Sequence, residues 1–223
     1  MDEPYRYDSS YFAKRKRAFL QAEVKRFAFE VLLEAENLLG LELINSIGKR
    51  AIDIGCAQGY IVELLQRLGY EAYGIDVSCV LGKSKMKDAV IKASWTHLAF
   101  MRESFDLVTA FEVIEHLPNH DAVLMALNET FRLLRGGGVL IFTTPTRNPI
   151  TVLSDKLHGE SHHVLRLPIY WRTLLRSLSS KVAVVPFSSV PFERFSILGK
   201  YFWIKLSSAL ARHVMAFAVK DVD

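Results

Sequence analysis

The chain has 223 residues, half of them hydrophobic and 23% charged, with 28 basic against 24 acidic side chains for a net charge of +4. That balance excludes a disordered, charge-rich tail and leaves enough apolar side chains for a sizeable core. Two cysteines, Cys56 and Cys79, cannot build a disulfide framework or a four-thiolate zinc site.

In chain order, the opening MDEPYRYDSSYF is polar, with no apolar segment of a secretory signal, and no uninterrupted apolar run of about 18 residues follows. The expectation is a cytoplasmic protein without a membrane span. After the basic run Lys14 to Arg17, the residues Leu20, Val24, Phe27, Val31, Leu32, Ala35 and Leu39 keep helical spacing, which predicts an amphipathic helix over about 18–40. Short apolar runs at 51–54, 72–75, 106–111 and 138–143 read as buried strands, and 89–92 as a weaker one. Between them, Ile61, Leu64, Leu65 and Leu68 form a helix closed by Gly69. Leu124, Leu127, Phe131 and Leu134 form another, capped by Asn119 or Asp121 and closed by Gly136. Strands alternating with helices imply a parallel sheet covered on both faces. A helix at about 168–179, a strand at 181–187, an aromatic-rich helix at about 197–211 and a last strand at 213–220 complete the chain. With no linker composition in between, residues 1–223 read as one domain. Residues 1–45 are an N-terminal helical cap, 46–146 a cofactor-binding core, and 147–223 the acceptor-side elements with the last two strands.

The charge is uneven along these parts. Residues 1–50 carry 9 basic and 8 acidic side chains, residues 51–146 carry 8 and 11, and residues 147–223 carry 11 and 5. The centre is acidic, and the positive excess lies in the last third, where it is either a solvated surface or a flank for an anionic partner.

The strongest local signal is the stretch Ala51-Ile52-Asp53-Ile54-Gly55-Cys56-Ala57-Gln58-Gly59, a strand end opening into a helix. Glycines there permit turns and close backbone approach to a ligand. The spacing is not the G-x-G-x-x-G that seats a pyrophosphate, and the carboxylate of Asp53 would repel one. Asp76 ends the next strand, 23 residues after Asp53, where a carboxylate can accept both ribose hydroxyls of a nucleoside. The pair suits a nucleoside with a cationic, phosphate-free tail, which is the chemistry of S-adenosylmethionine.

The run D-I-G-C-A-Q-G, then G-I-D, then F-D-L-V-x-x-x-E-V-I-E-H-L, then L-L-R-G-G-G-V-L-I-F-T-T-P resembles the class I S-adenosylmethionine-dependent methyltransferases. Within them it is most similar to the type 11 branch, with enzymes of ubiquinone and menaquinone biosynthesis. The resemblance implies a Rossmann-like, doubly wound α/β fold. Its seven-stranded sheet is mostly parallel with the last strand antiparallel, has helices on both faces, and holds its ligand at the strand C-terminal ends. Carried over by position, Asp53, Gly55, Cys56, Ala57 and Gly59 line the methionine end. Asp76 takes the ribose, Val77 packs on adenine, and Phe111 and Glu112 close the site; the product would be S-adenosylhomocysteine (SAH). Ala57 stands where the family has a second glycine, which is harmless if its φ stays negative. The aspartate the family places near the adenine amino group is missing from Ser94-Trp95-Thr96-His97-Leu98-Ala99-Phe100; there Ser94 could accept a hydrogen bond, and Trp95 either stacks on adenine or belongs to the core.

Methyl transfer from a sulfonium is a displacement that needs alignment above all, and a base only if the acceptor must lose a proton. His116 and Glu115 are the catalytic candidates. A competing reading gathers Glu112, Glu115, His116 and His163 around a divalent metal, a set resembling that of small-RNA 2′-O-methyltransferases and quinone-ring O-methyltransferases. His158 and His213 read as surface or packing residues. The acceptor side falls to Tyr5, Tyr7, Tyr11 and Phe12, to 146–168, and to Phe195, Leu198, Tyr201, Phe202 and Trp203 with Arg194, Lys200 and Lys205 among them. The last group is a lid, a membrane-surface helix or a packed helix. The sequence-level expectation is a methyltransferase acting on a small, anionic organic acceptor. The alternatives are an RNA ribose 2′-O-methyltransferase, a binding protein without turnover, and, more distantly, a nicotinamide-dependent dehydrogenase.

Overall fold

A computed structural model describes residues 21–78, 87–158, 162–188 and 211–222. Cys79, the basic run at 14–17, the aromatics before residue 21 and the expected helix with its aromatics over 194–210 lie outside these. The elements are α1 (Gln21–Leu39), β1 (Arg50–Ile54), α2 (Tyr60–Arg67), β2 (Glu71–Asp76), β3 (Val90–Lys92), β4 (Phe105–Phe111), α3 (His120–Leu133), β5 (Leu134–Pro145), α4 (Pro149–His158), α5 (Pro168–Arg176), β6 (Lys181–Phe187) and β7 (His213–Val219). No helix among the described residues is long and apolar enough to cross a membrane.

The seven strands form one sheet in the order β3-β2-β1-β4-β5-β7-β6. The pairs from β3 through β5 are parallel, and β7 runs antiparallel to both β5 and β6. This is the expected Rossmann-like architecture. Side chains alternate across the sheet because successive Cβ atoms point to opposite faces. Leu107, Ile141 and Phe217 pack with α1 and α2 on one face, while Val108, Leu140 and Ala216 pack with α3 and α5 on the other. Both faces being covered explains why these strands read as near-continuous apolar runs.

Two helix ends show how sequence sets the chain path. Gly69 sits at φ +94°, its amide bonding the Gln66 carbonyl at 3.0 Å and that of Tyr70 the Leu65 carbonyl at 3.1 Å, a glycine-closed end as expected. Helix α3 begins with the Asn119 side chain accepting from the Ala122 amide at 2.9 Å. Its other end differs from expectation. Leu134 is already extended and begins β5, so Gly136 lies within that strand rather than capping the helix. The early ending frees Arg135 to meet Asp106 at 2.8 Å, and Asp106 also accepts the Arg50 amide at 2.7 Å.

Candidate functional site

The C-terminal ends of the parallel strands and the start of antiparallel β7 lie along one edge of the sheet. After β1, Gly55 takes φ +71° and Gly59 φ +80°, conformations glycine adopts without penalty. At Gly55 a side chain has no room, since an added Cβ would lie 2.3 Å from Val113 Cγ2. Ala57 is also left-handed, at φ +44°, so the negative φ on which alanine would be harmless here is not met. Its amide donates to Asp76 Oδ2 at 2.8 Å, while Ser78 donates to Asp76 Oδ1 at 2.7 Å. Asp76 thus ties the loop after β1 to the end of β2, and that tether is what holds Ala57 in a costly conformation.

Asp53 is buried, and Thr109, its register partner on β4, donates to Oδ1 at 2.7 Å. Burial pushes the Asp53 carboxyl up to about 8, with Asp76 adding to the rise and the Thr109 bond opposing it. Such a carboxyl gains from any cation brought against it. Cys56 places only backbone at the loop surface: its side chain is buried against Gly74, where an added Cβ would meet Sγ at 2.7 Å. That burial raises the thiol, and nearby Asp53 and Asp76 add to the effect. Val77 is 46% exposed beside Asp76. Ser94 shares a 3.0 Å hydrogen bond with Thr96. Trp95 is only 3% exposed and its Nε1–H donates to Thr130 Oγ1 at 2.8 Å, so of its two readings the structure selects the core aromatic.

On the α3 and α5 face, Glu115 is buried and Thr144 donates to its Oε2 at 3.0 Å. Its Oε1 lies 3.8 Å from His116 Nε2. Ligand atoms of Glu115, His116 and His162 all fall within 4.8 Å of one another. This corrects the sequence set at two places. His163 is exposed and contributes its amide, which donates to the Glu115 carbonyl at 2.8 Å, so the imidazole that faces inward is that of His162. Glu112 leaves the set as well. It turns at φ +53°, donates its amide to the Thr143 carbonyl at 3.0 Å, and meets His213 instead, Oε2 to Nε2 at 3.5 Å. Phe111, Phe27 and Phe187 form an aromatic row on the α1 face that reaches the His213 ring.

From the sequence, the HH doublet gave its ligand to His163 rather than His162, His213 read as a surface or packing residue, and Thr109 and Thr144 were passed over. The threonines were legible as polar residues in apolar strands, and the HH doublet held one inward-facing histidine without saying which. Among the described residues, Asp53 Oδ2, Ser78 Oγ, Glu112 Oε1, Thr143 Oγ1 and His213 Nδ1 along this edge are buried without a hydrogen-bond partner. Buried polar atoms are nearly always paired, so this concentration makes the edge the candidate site for a ligand.

A family model described as a methyltransferase domain matches residues 12–182. A ubiquinone biosynthesis O-methyltransferase of Psychrobacter arcticus is 33% identical over 135 residues, covering 54% of this chain and 49% of that protein. One of Nitrosococcus oceani is 34% identical over 148 residues, covering 59% of each. The chain spans about half the length of such curated relatives. A S-adenosylmethionine-dependent methyltransferase from Archaeoglobus fulgidus shares the fold with TM-score 0.72 at 16% identity, covering 96% of this chain and 100% of that one. The magnesium protoporphyrin IX methyltransferase of Synechocystis, solved with SAH, does so with TM-score 0.63 at 15% identity, covering 96% of each.

Proposed function

Because the chain belongs to the methyltransferase-domain family, of the class I S-adenosylmethionine-dependent kind, we propose that it methylates a small organic acceptor, at oxygen in the first instance. The observation that carries this reading is the loop after β1, where two left-handed glycines, a buried Asp53 and the loop-bracing Asp76 meet at one edge. When bound, S-adenosylmethionine supplies a methyl group on a positively charged sulfur. In this reading Gly55 and Gly59 let the backbone come close to the methionine end, and Ala57 lies between them with its amide already held. Asp53 balances the cationic tail. Asp76 has lone pairs left beyond the two amides it accepts, and these take the ribose hydroxyls; Val77 offers an exposed apolar face to adenine. Phe111 walls the acceptor side. The O-methyltransferase relatives and the basic last third of the chain support a small acceptor carrying a hydroxyl and an anionic group.

The test is SAH titration by calorimetry. Wild-type protein binds, and Asp76→Ala is expected to weaken binding by about 10- to 100-fold, through the lost hydroxyl bonds and the released loop. Unchanged affinity in the variant would remove the ribose assignment, and no binding by the wild type would remove the reading itself.

One observation favours a second, metal-assisted form of the reading. Glu115, His116 and His162 offer one carboxylate and two imidazoles within 4.8 Å, a donor set suited to manganese, iron, cobalt or zinc. A divalent ion there would polarise an acceptor oxygen. Glu115 is braced for such a role by Thr144, and the 162–164 segment is pinned to the Glu115 carbonyl by the amides of His163 and Val164. Elemental analysis of protein purified without chelator is expected to show stoichiometric metal that Glu115→Gln loses; metal-free, fully active protein would dismiss this form.

A further inference from the structure

The geometry points to His213, held by Glu112, as the group that takes the proton from the acceptor; this rests on the methyltransferase reading above. His213 opens β7, and its backbone pairs with Pro145 at the end of β5. Glu112 follows β4 on the other side of β5. The two side chains therefore reach across one strand end to meet, Nε2 to Oε2 at 3.5 Å. Bringing them together costs strain, because Glu112 holds a left-handed φ of +53° that a non-glycine residue avoids.

In this proposal Nε2 carries the ring proton toward the Glu112 carboxylate and the lone pair is on Nδ1. Among the described residues Nδ1 is buried without a hydrogen-bond partner, while the side chain as a whole is 25% exposed. A hydroxyl donated to Nδ1 would satisfy it and be the proton that methylation displaces. Among the described residues the charged group facing the ring is Glu112, and the Phe187 ring lies beside it, centroids 5.5 Å apart and tilted by 30°.

The step balances without any further reagent. The acceptor oxygen forms a bond to the methyl carbon, the carbon–sulfur bond breaks, and its electron pair stays on sulfur, giving neutral SAH. The hydroxyl proton moves to His213 Nδ1, and the resulting imidazolium is stabilised by the Glu112 carboxylate before it passes the proton to water. His213 is the catalytic residue here and Glu112 a positioning residue.

Nitrogen NMR of imidazole-labelled full-length protein with SAH tests the assignment without turnover. The expected spectrum shows His213 as the Nε2–H tautomer, with its resonances moved in Glu112→Gln; an Nδ1–H tautomer would overturn the proposal. For turnover the probe is 3,4-dihydroxybenzoate with methyl-labelled S-adenosylmethionine. His213→Gln is expected to lower kcat about 100-fold near neutral pH, with KM and SAH affinity within about threefold, and Glu112→Gln to lower kcat about 10-fold. The His213→Gln deficit should close at alkaline pH, where the phenol ionises unaided, a recovery that a packing defect would not give. SAH binding intact together with full turnover in His213→Gln, or with no turnover of the phenol by wild type, overturns the base assignment and leaves the cofactor reading standing. Loss of SAH binding in the wild type is the separate outcome that overturns that reading.

Discussion

Around the ends of β1 and β2, one short stretch of chain builds most of a site by itself, whereas around the ends of β4, β5 and β7, segments far apart in sequence must meet. Asp53, Gly55, Ala57, Gly59 and Asp76 span two strand ends and one loop, and their bonds run mostly within that span: the Gly55 and Cys56 amides to the Ile75 carbonyl, and the Ala57 amide to Asp76. On the other side, Glu112 meets His213 from 101 positions away, and Glu115 meets His162 and Thr144. A locally made site is rigid because its parts cannot drift independently. A site assembled from distant strands depends on the sheet register, and its side chains are the ones a change of substrate can replace without disturbing the loop.

The loop after β1 is most sensitive at Gly55. Gly55→Ala would drive a Cβ to 2.3 Å from Val113 Cγ2 at a φ of +71°. Left-handed strain costs about 1–2 kcal/mol and overpacking typically a further 1–3 kcal/mol, so a loss of about 3 kcal/mol in urea unfolding is expected. Val113→Ala in the same chain should recover the clash and leave the strain; a double variant no better than additive would show that the two side chains do not couple. Because Val113 stands between Phe111 with Glu112 and the Glu115 cluster, this variant also reads how far the loop disturbs the acceptor side.

Asp53 sharpens the comparison through pH. Unfolded, its carboxyl ionises at 3.8, and folded it holds its proton to about 8 because burial disfavours the charge. Between those values the folded state binds more protons than the unfolded one, so this group makes stability fall as pH rises through the window and level off above it. Asp53→Asn is expected to flatten that slope in thermal unfolding of the unliganded protein. A cationic ligand reverses the preference. S-adenosylmethionine binding near pH 7 should therefore release up to one proton, read as a buffer-dependent enthalpy in calorimetry. No proton release, with Asp53→Asn binding as tightly as wild type, would separate Asp53 from the ligand.

The contrast between the two regions also explains which parts were legible in the sequence. The apolar runs located each strand, though not the start of β5 at Leu134, and the antiparallel β7 followed from the resemblance, because strand identity is written in local hydrophobicity. The glycine loop and both acids were legible because their spacing is the chemistry. The sign of φ at Ala57 was not, since it follows from the bond its amide makes to Asp76, 19 residues away. His162 and His163 differ by one position, and only the pinning of the His163 amide to the Glu115 carbonyl decides which ring turns inward. His213 looked like the first residue of an ordinary strand; its meaning depends on β7 lying beside β5, which brings it within reach of Glu112.

Trp95 gives the smallest of these effects and tests where the boundary between core and site runs. It belongs to the same core cluster as Ile75, Val108 and Leu127, and its Nε1–H reaches Thr130, whose own hydroxyl donates to the Ala126 carbonyl at 2.9 Å. Trp95→Phe removes the buried donor and part of the ring volume but leaves Thr130 its other bond. The lost hydrogen bond and the small void together should cost about 1–3 kcal/mol in urea unfolding. SAH affinity should stay within about twofold, because a residue turned into the core has no contact to lose. A tenfold loss of affinity with little change in stability would return the indole to the nucleoside and move the boundary of the cofactor region across β3.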